Sequence, residues 1–477
     1  MLRRLIAIGA AIAALAALCA CARFSPDAGM DVVGGIAADE LNKDVAALLT
    51  PEEAERARVA VRRLLGRTLT ADAAVQVALL NNRGLQAAYN ELALADALRV
   101  GESLPPNPAF SVSRISGSAE LEVERRIVTD ILALATLPAR TEIAATRFHQ
   151  AQLRAAEETL RLANETRRAF YRAVAARELV GFLAQSQEAA ESATQFATRL
   201  GETGAMNKLD QAREQVFYAD LTGQLAVARQ RASSERESLV RAMGLWGADL
   251  GFKLPSALPA LPGRPQASAS IEVEAVRRRV DLQIARMELD ALARSYDLTQ
   301  ATRFISLLEG GYADKFTKDK ETGQRIIDRG FDVALQIPIF DFGEVRLRQV
   351  EAIYMQAVNR LLERAVNVRS QARDAYRVYR STYDIANHYS REVLPLRKII
   401  SDETLLRYNA MLIDVFSLLA EARQRTTATV TAIEAKRDFW LASVDLKAAV
   451  AGGGMSSGAG HEGSKPMAES SPAAGRH

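Results

Sequence analysis

Residues 331–343 read Phe-Asp-Val-Ala-Leu-Gln-Ile-Pro-Ile-Phe-Asp-Phe-Gly, and an apolar side chain occupies every second position from Phe331 to Ile339. This alternation predicts a β-strand with one apolar face. A strand of a soluble sheet alternates in the same way. The stretch approaches the roughly 9–11 residues that a tilted strand needs to cross a bilayer, so its length favours a strand that spans a membrane.

Three further stretches are predicted to be strands, and polar loops separate the members of each pair. The strands are Phe110–Ser113, Ile127–Leu137 and Phe304–Tyr312, and the loops are Ser116–Arg126 and Asp314–Gly330. Four strands in two hairpins cannot close a barrel, for which about eight is the minimum. An open sheet edge in hydrocarbon leaves backbone N–H and C=O groups without partners. If the strands span a membrane, several copies of the chain must therefore combine.

The sequence contains an internal duplication. Residues 85–92 read Leu-Gln-Ala-Ala-Tyr-Asn-Glu-Leu, and residues 282–289 read Leu-Gln-Ile-Ala-Arg-Met-Glu-Leu. A strand hairpin follows each copy, and then two long helical stretches joined by a tight turn, at 140–200 and 207–246 and again at 344–401 and 414–450. Apolar residues in the second set recur in steps of three and four, the spacing of a coiled-coil seam. The pattern predicts a mainly α protein with long antiparallel coiled-coil helices and a small β part.

The predicted domain organisation follows this duplication. A repeat of roughly 200 residues is too long for a solenoid unit of about 20–50 residues, so it indicates a pseudo-symmetric architecture. Four prolines between the copies predict a stiff, extended linker, and the Gly/Ser/Pro-rich end predicts a disordered tail. The predicted division is a signal peptide 1–20, a lipid-anchored lead segment 21–67, a first repeat 68–251, a linker 252–270, a second repeat 271–450 and a tail 451–477.

The N-terminus predicts export and a lipid anchor. Two arginines precede an apolar run at 5–18, which is the pattern of a secretory signal. The tetrapeptide at 18–21 reads Leu-Cys-Ala-Cys and resembles a bacterial lipobox, in which the thiol of Cys21 takes a diacylglyceryl group. Ordinary cleavage nearby, without a lipid, is the alternative. Ala22 rather than an aspartate follows Cys21, which by resemblance to bacterial lipoproteins favours the outer membrane.

Composition argues against several classes of function. The net charge is only +3 and the basic residues are spread along the helices, whereas a nucleic-acid partner normally requires a basic patch. The only other cysteine, Cys19, precedes the predicted cleavage site, so we expect no disulfide and no cysteine metal site. His149 and His388 are predicted to be helix-surface residues rather than metal ligands. With no catalytic constellation and no phosphate loop, we expect neither an enzyme nor a cofactor.

Four motifs together resemble the TolC family of bacterial outer-membrane efflux proteins, and the resemblance covers about residues 68–450. They are an alanine-rich helix at 78–88 with Leu-Pro-Pro-Asn-Pro at 104–108, the Ile337–Gly343 junction, Val-Leu-Pro-Leu at 393–396, and the turn at 407–408 followed by Leu-Leu-Ala-Glu-Ala-Arg at 418–423. In this order, and duplicated, they are specific to that family.

The resemblance implies a homotrimer. Each protomer would give four strands to a twelve-stranded outer-membrane barrel and its long helices to a periplasmic α-barrel. The resulting channel would be a passive exit duct, docked to a periplasmic adaptor protein and an inner-membrane efflux pump. This assembly would satisfy the requirement for several copies, because three times four strands removes every open edge.

The resemblance also suggests a site at the ends of the helical hairpins. It would place Arg407 and Tyr408 near the periplasmic aperture and the adaptor surface, with Gly204, Asn207 and Asp414 in the two turns as further partner contacts. A purely structural role is the alternative. In that case Arg407 pairs with Asp402 and Tyr408 packs the end of the hairpin. Asn207 and Asp414 are also good N-caps for the returning helices.

Some positions depart from the family pattern. Met411 stands where the family has a glycine in the second turn, and Ala420 stands where it often has the aspartate of an acidic constriction. Glu421 is adjacent, but an acidic gate at Ala420 cannot be transferred. Pro395 lies within the long helix and removes one helix hydrogen bond, so a kink is expected there.

Two other functions fit parts of the pattern. A periplasmic adaptor lipoprotein also has a lipid anchor and a helical hairpin, but it normally carries one hairpin among β-rich domains. A soluble coiled-coil scaffold would need neither the four strands nor the lipobox. An outer-membrane channel accounts for all of these features, so it is the leading hypothesis.

Overall fold

The fold was analysed in a computed structural model that describes residues 23–267, 270–410 and 412–454. The predicted signal peptide 1–20, the predicted lipidation site Cys21 and most of the predicted tail 451–477 lie outside these residues. So does Met411 in the second hairpin turn.

Helices form most of the described chain. The first half contains α1 Met30–Leu41, α2 Pro51–Leu65, α3 Ala71–Asn81, α4 Arg83–Ser103, β1 Ala109–Ser116, β2 Glu120–Asp130, α5 Ile131–Ala135, α6 Leu137–Glu202 and α7 Lys208–Met243. The second half contains α8 Ile271–Arg278, α9 Val280–Ala301, β3 Leu307–Asp319, β4 Arg325–Gln336, α10 Glu344–His388, a π-helical turn Tyr389–Val393, α11 Leu394–Asn409 and α12 Val415–Ala451.

The same order of elements occurs twice. In each half, two consecutive helices lead into a strand hairpin, then a long helix and a returning helix. The first long helix has 66 residues and would extend about 100 Å at 1.5 Å per residue. The helical stretch 344–409 has the same length, and the returning helices α7 and α12 have 36 and 37 residues. The two halves therefore present helical hairpins of equal reach.

The four strands form one antiparallel sheet in the order β1-β2-β3-β4. Pairing between β2 and β3 joins the hairpin of the first half to that of the second, with Ile127 opposite Tyr312. Among the described residues, β1 and β4 are each paired on one side only. The sheet is therefore open at both edges.

Three of the four strands are longer than the sequence analysis predicted, whereas β2 has the predicted 11 residues but begins seven residues earlier. Ser116–Arg126 and Asp314–Gly330 were expected to be loops, but most of these residues continue the strands to short turns at 117–119 and 320–324. The predicted strand Ile127–Leu137 instead ends at Asp130. The charged stretches lack apolar alternation, yet their charges pair across strands. The Lys315 Nζ lies 2.7 Å from a Glu122 carboxylate oxygen, and such pairs stabilise a ladder without apolar contacts.

The junction between β4 and α10 requires a glycine. Phe342 and Gly343 have φ angles of 48° and 74°, so two successive residues are left-handed and turn the chain sharply into the helix. A Cβ atom at position 343 would lie 2.3 Å from the backbone oxygen of Arg303. The Asp341 carboxylate accepts a hydrogen bond from the Gly343 N–H at 3.1 Å and supports the turn.

We expect Gly343→Ala to destabilise the protein, because a side chain in the left-handed region costs about 1–3 kcal/mol and the close approach to Arg303 adds to this. Thermal unfolding of the detergent-solubilised protein, followed by circular dichroism, should show a lower midpoint. Gly330→Ala is the matched control, since a Cβ there meets nothing within 4 Å. Equal midpoints for the two variants would contradict this account of the junction.

The long helix of the second half changes its hydrogen-bonding pattern just before Pro395. Residues Tyr389–Val393 form a π-helical turn, and α11 then begins with Pro395 in its first turn. Proline has no backbone N–H, so the carbonyl one turn earlier loses its helical partner. The irregularity thus coincides with the place where the sequence predicted a break in the helix.

The linker between the two halves packs against the helices. Leu254 and Leu258 are buried in a core that also contains Phe170 of α6. The Trp440 indole N–H donates to the Pro259 carbonyl at 3.2 Å, and the Tyr383 hydroxyl donates to the Pro262 carbonyl at 3.0 Å. The linker therefore helps to hold the two halves together.

Candidate gate at the ends of the helical hairpins

The first hairpin turn is closed by a helix cap. Asn207 accepts a hydrogen bond from the Asp210 backbone N–H at 2.9 Å, which confirms its predicted role as N-cap of α7. Its side-chain amide also donates to the Asp210 carboxylate. Gly204 has a φ angle of 74° and no neighbour that a Cβ would touch within 4 Å. Gly204 and Asn207 are both exposed, so a partner could reach them.

The second hairpin turn is capped in the same way. Asp414 accepts hydrogen bonds from the Ser417 backbone N–H at 2.9 Å and from its hydroxyl at 2.7 Å, which confirms the predicted N-cap of α12. These hydrogen bonds from Ser417 lower the pKa of the Asp414 carboxyl below its usual 3.8. Asp414 is therefore an exposed anion at the end of the hairpin.

Arg407 points along its own helix. Its Nε lies 2.9 Å from a Glu403 carboxylate oxygen, so the pairing with Asp402 that the structural alternative assumed is wrong. Residues four apart share a helix face and residues five apart do not, which explains the choice of partner. The Arg407 side chain is exposed, and its ion pair lies within α11. Its backbone carbonyl accepts a hydrogen bond from the Leu412 N–H at 2.9 Å.

Tyr408, in contrast, faces the first hairpin. It lines an apolar cavity of about 290 Å³ between the two hairpin ends. The other lining residues are Ala193, Phe196, Ala197, Met206, Leu418 and Leu419. Tyr408 is half-buried, and Met206 belongs to the first turn. Residues of both hairpin ends therefore line this cavity.

Sequence reasoning missed a charged link between the two returning helices. Arg423 of α12 donates from Nη2 to the Arg213 carbonyl of α7 at 2.9 Å, and the same nitrogen lies 3.6 Å from a carboxylate oxygen of Glu214. The guanidinium also lies over the Phe217 ring at 4.6 Å. We call Arg423 and Glu214 the inter-hairpin pair. They are 209 positions apart, and no local pattern marks such a contact.

The inter-hairpin pair combines a buried carboxylate with a partly exposed guanidinium, and within the described part of the chain both groups have an atom without a hydrogen-bond partner. The Glu214 side chain is 2% exposed, and among the described residues Oε2 of Glu214 and Nε of Arg423 have no hydrogen-bond partner. Burial raises the pKa of Glu214 above its usual 4.5, and the charge of Arg423 offsets this only in part. A buried carboxylate with one unsatisfied oxygen is costly to keep, and this cost offsets part of the stabilisation that the contact with Arg423 provides.

Glu421 is directed into its own hairpin. It is 8% exposed, and one carboxylate oxygen lies 3.1 Å from the Arg397 guanidinium of α11. The same guanidinium donates to the Gln424 side chain at 2.6 Å. Glu421 therefore holds α11 against α12 and, in this arrangement, does not supply a free acidic group beside Ala420.

One face of the sheet exposes large apolar side chains to solvent, and we call it the apolar face. Phe331 is 86% exposed, Val333 70% and Phe110 66%. By register, Phe331 is opposite Tyr312, which is opposite Ile127, so these side chains share that face. An apolar surface of this extent on a soluble protein marks a contact with a membrane or another protein.

Within the described residues, no helix combines the length and the apolar character that a membrane crossing needs.

The two histidines within the described residues make local contacts. His149 lies 3.0 Å from the Gln152 side chain, and His388 lies 3.0 Å from the Glu392 carboxylate. Throughout the described part of the chain, no group of three or more His, Cys, Asp or Glu side chains could hold a metal ion.

Comparison with solved structures identifies the fold. CusC aligns with a TM-score of 0.68 and 16% identity, over 80% of this chain and 92% of that one; its structures concern folding and transmembrane channel formation. The Campylobacter jejuni CmeC outer-membrane channel aligns with a TM-score of 0.68 and 15% identity, over 81% and 86% of the two chains. This is the TolC-like fold of outer-membrane channels. The expected mainly α fold with a small antiparallel sheet is thereby confirmed, and the twelve-stranded trimeric barrel stays a prediction.

A third channel gives the same result. The open state of the Neisseria gonorrhoeae MtrE outer-membrane channel aligns with a TM-score of 0.65 and 15% identity, over 80% of this chain and 88% of that one. No protein-family model matches the chain, and no curated protein matches it either. The TolC-like fold is thus recognisable in three dimensions at low sequence identity.

Proposed function

We propose that the chain is the outer-membrane channel of a tripartite efflux system, a passive exit duct for substrates delivered by an inner-membrane pump through a periplasmic adaptor. The observation that carries this proposal is the open four-stranded sheet with an exposed apolar face. Two long helical hairpins leave the same end of this sheet. A channel needs both parts, one to cross the membrane and one to reach into the periplasm.

The open edges support a homotrimer. β1 and β4 each leave a row of backbone donors and acceptors unpaired within the described protomer, and such groups cannot remain unpaired in hydrocarbon. If β1 of one copy pairs with β4 of the next, three copies make a closed barrel of twelve strands. The lipid anchor at Cys21, the two repeats and the outer-membrane location belong to the same proposal.

The architecture favours a channel over the two alternatives. A periplasmic adaptor was expected to carry one hairpin among β-rich domains, whereas the described part of this chain contains two helical hairpins and a single small sheet. A soluble scaffold has no use for the exposed apolar face, which would promote aggregation in water. The similar solved structures are channels.

We propose that the hairpin ends form the gate and the surface for the adaptor. Tyr408 and the inter-hairpin pair hold the second hairpin against the first. The turns nearby expose apolar side chains, with Leu209 62% and Leu412 73% exposed. Gly204, Asn207, Arg407 and Asp414 lie in or beside these turns and are proposed to contact the adaptor.

Membrane fractionation tests the proposed function. The full chain should sediment with the outer membrane, require detergent for extraction and migrate or cross-link as a trimer when it is not heated. Recovery as a soluble periplasmic monomer would contradict the channel proposal and favour a scaffold.

The gate should respond to acid through Glu214. Burial raises the pKa of Glu214 while the hairpins are together, and exposure to water on opening would return the pKa towards 4.5. Glu214 binds a proton more tightly in the closed state, where its pKa is higher, than in the open state. Lowering the pH therefore stabilises the closed state. Conductance in planar bilayers should therefore fall as the pH decreases through the range just above 4.5.

A matched pair of variants checks this pH dependence. Glu214→Gln cannot titrate, so its conductance should not change across that range. Glu188→Gln removes an exposed glutamate of the first hairpin and should retain the wild-type response. A response that persists in Glu214→Gln would assign the titration to another group.

A further inference from the structure

The register of the sheet places alternate side chains on two opposite faces, and these faces differ in charge. One is the apolar face of Phe110, Phe331 and Val333, and the other is the opposite face, which we call the acidic face. The acidic face carries Glu120, Glu122, Glu124, Asp130, Glu309, Asp319, Asp328 and Asp332, against the two cations Arg126 and Lys315. Charged side chains occupy this face along its whole length, so it cannot lie against hydrocarbon.

The apolar face is basic towards one end. Near the hairpin turns, away from the helices, it carries Arg114, Arg125, Lys318, Arg325 and Arg329, with Asp314 as its single anion. We call these five cations the basic band. Leu335, near the helical end of the same face, is six residues from Arg329, which corresponds to about 20 Å along a strand. Apolar side chains thus occupy the helical end and cations the far end.

Most of the basic band lacks a counter-ion in the protein. Arg125 pairs with Asp314, with Nε and Oδ1 3.0 Å apart. Arg114, Lys318, Arg325 and Arg329 make no ion pair with any described residue, and the three arginines are exposed. Unpaired cations on a surface that faces lipid are costly, so an external anion is needed to compensate them.

The side chains beside the basic band indicate which kind of anion would bind there. Val123, Phe316 and Ile327 lie in one cross-strand row of the apolar face, between the row of Arg125 and Arg329 and the row of Lys318 and Arg325. A ligand for this surface must combine acyl chains with anionic groups. Arginine forks match phosphate oxygens in a bidentate manner, and long basic side chains can extend from apolar surface towards a polar boundary.

We propose that the basic band binds the phosphate groups of the phosphorylated glycolipid in the outer leaflet of the outer membrane. This inference rests on the proposed function, which puts the helices in the periplasm and the hairpin turns on the outside. The lipid then supplies the counter-ions that the protein lacks, while its acyl chains cover Phe331 and Val333. The arrangement fixes the height of the channel in the membrane.

Native mass spectrometry of the purified full chain in detergent tests this site, with diphosphorylated lipid A as the added ligand. The variant Arg114→Gln combined with Arg329→Gln should bind about 30-fold more weakly than the wild type, since each cation near a lipid surface contributes a factor of about five. Dephosphorylated lipid A should bind wild type and variant alike. Lys315→Gln removes a cation at the same height on the acidic face and should leave binding unchanged.

Further outcomes would overturn the inference. Equal binding of diphosphorylated lipid A by wild type and double variant would do so, and so would equal affinity of the wild type for phosphatidylglycerol. The variant Arg114→Lys with Arg329→Lys keeps the charge and should retain most of the affinity, which separates loss of binding from loss of folding. Failure of the proposed function has a different signature, because the wild type would then be monomeric and non-conducting. Binding is measured in whichever state the protein is recovered.

Discussion

Val333→Arg is expected to abolish recovery of the trimer from the outer membrane. Val333 is 70% exposed on the apolar face, opposite Gly310 in the register. An arginine that faces lipid near the bilayer midplane costs about 2–4 kcal/mol per copy, and three copies would bear the cost together. Quantitative immunoblotting of unheated outer-membrane fractions should show the trimer band greatly reduced, with the protein degraded or retained in the periplasm.

Ala334→Arg is the matched control for this variant. Ala334 is the next residue of the same strand, points to the acidic face and is opposite Glu309. A guanidinium there meets an acidic neighbour instead of lipid, so the trimer should be recovered at close to the wild-type level. If the two variants behaved alike, the assignment of faces would be wrong, and with it the site of the basic band.

Tyr408→Ala combined with Arg423→Ala is expected to raise single-channel conductance or open probability in planar bilayers. Arg423 joins α12 to α7 through the Arg213 carbonyl and Glu214, and Tyr408 lines the cavity between the hairpin ends. Hydrogen bonds to charged groups contribute about 1.5–3 kcal/mol, which corresponds to at least roughly a tenfold change in the ratio of open to closed states. The loss of Arg423 also leaves Glu214 buried without its counter-ion.

Arg407→Ala provides the control within the same turn. The Arg407 side chain pairs with Glu403 of its own helix, so its removal should leave the conductance of the isolated channel unchanged. A larger effect of Arg407→Ala than of the Tyr408 and Arg423 double variant would contradict this account. It would indicate that Arg407 itself helps to close the aperture, near which the family resemblance placed it. A reduced binding of the adaptor by Arg407→Ala would be compatible with the proposed docking surface.

Features with a local signal were predictable from the sequence. The long helices follow from a spacing of three and four, and the caps Asn207 and Asp414 follow from residue type next to a turn. The duplicated order of elements was predictable because a strand hairpin pattern followed by two long helical patterns occurs in each copy. These predictions needed no knowledge of which residues meet in space.

Features that depend on distant partners were not predictable. Three strands were assigned too short and β2 was placed too late in the sequence, because Arg125 and Asp314 replace apolar alternation with a cross-strand ion pair. The inter-hairpin pair joins residues from opposite halves of the chain, and only the fold brings them together. The wrong partner for Arg407 is an exception, since the geometry of one helix turn would have indicated Glu403.

The central claim is that three copies of this chain form one membrane channel, and the most direct measurement combines mass with conductance. Native mass spectrometry of the detergent-extracted full chain should give a mass of three protomers, and the same preparation should produce discrete conductance steps in planar bilayers. A single-protomer mass together with no conductance would contradict the account.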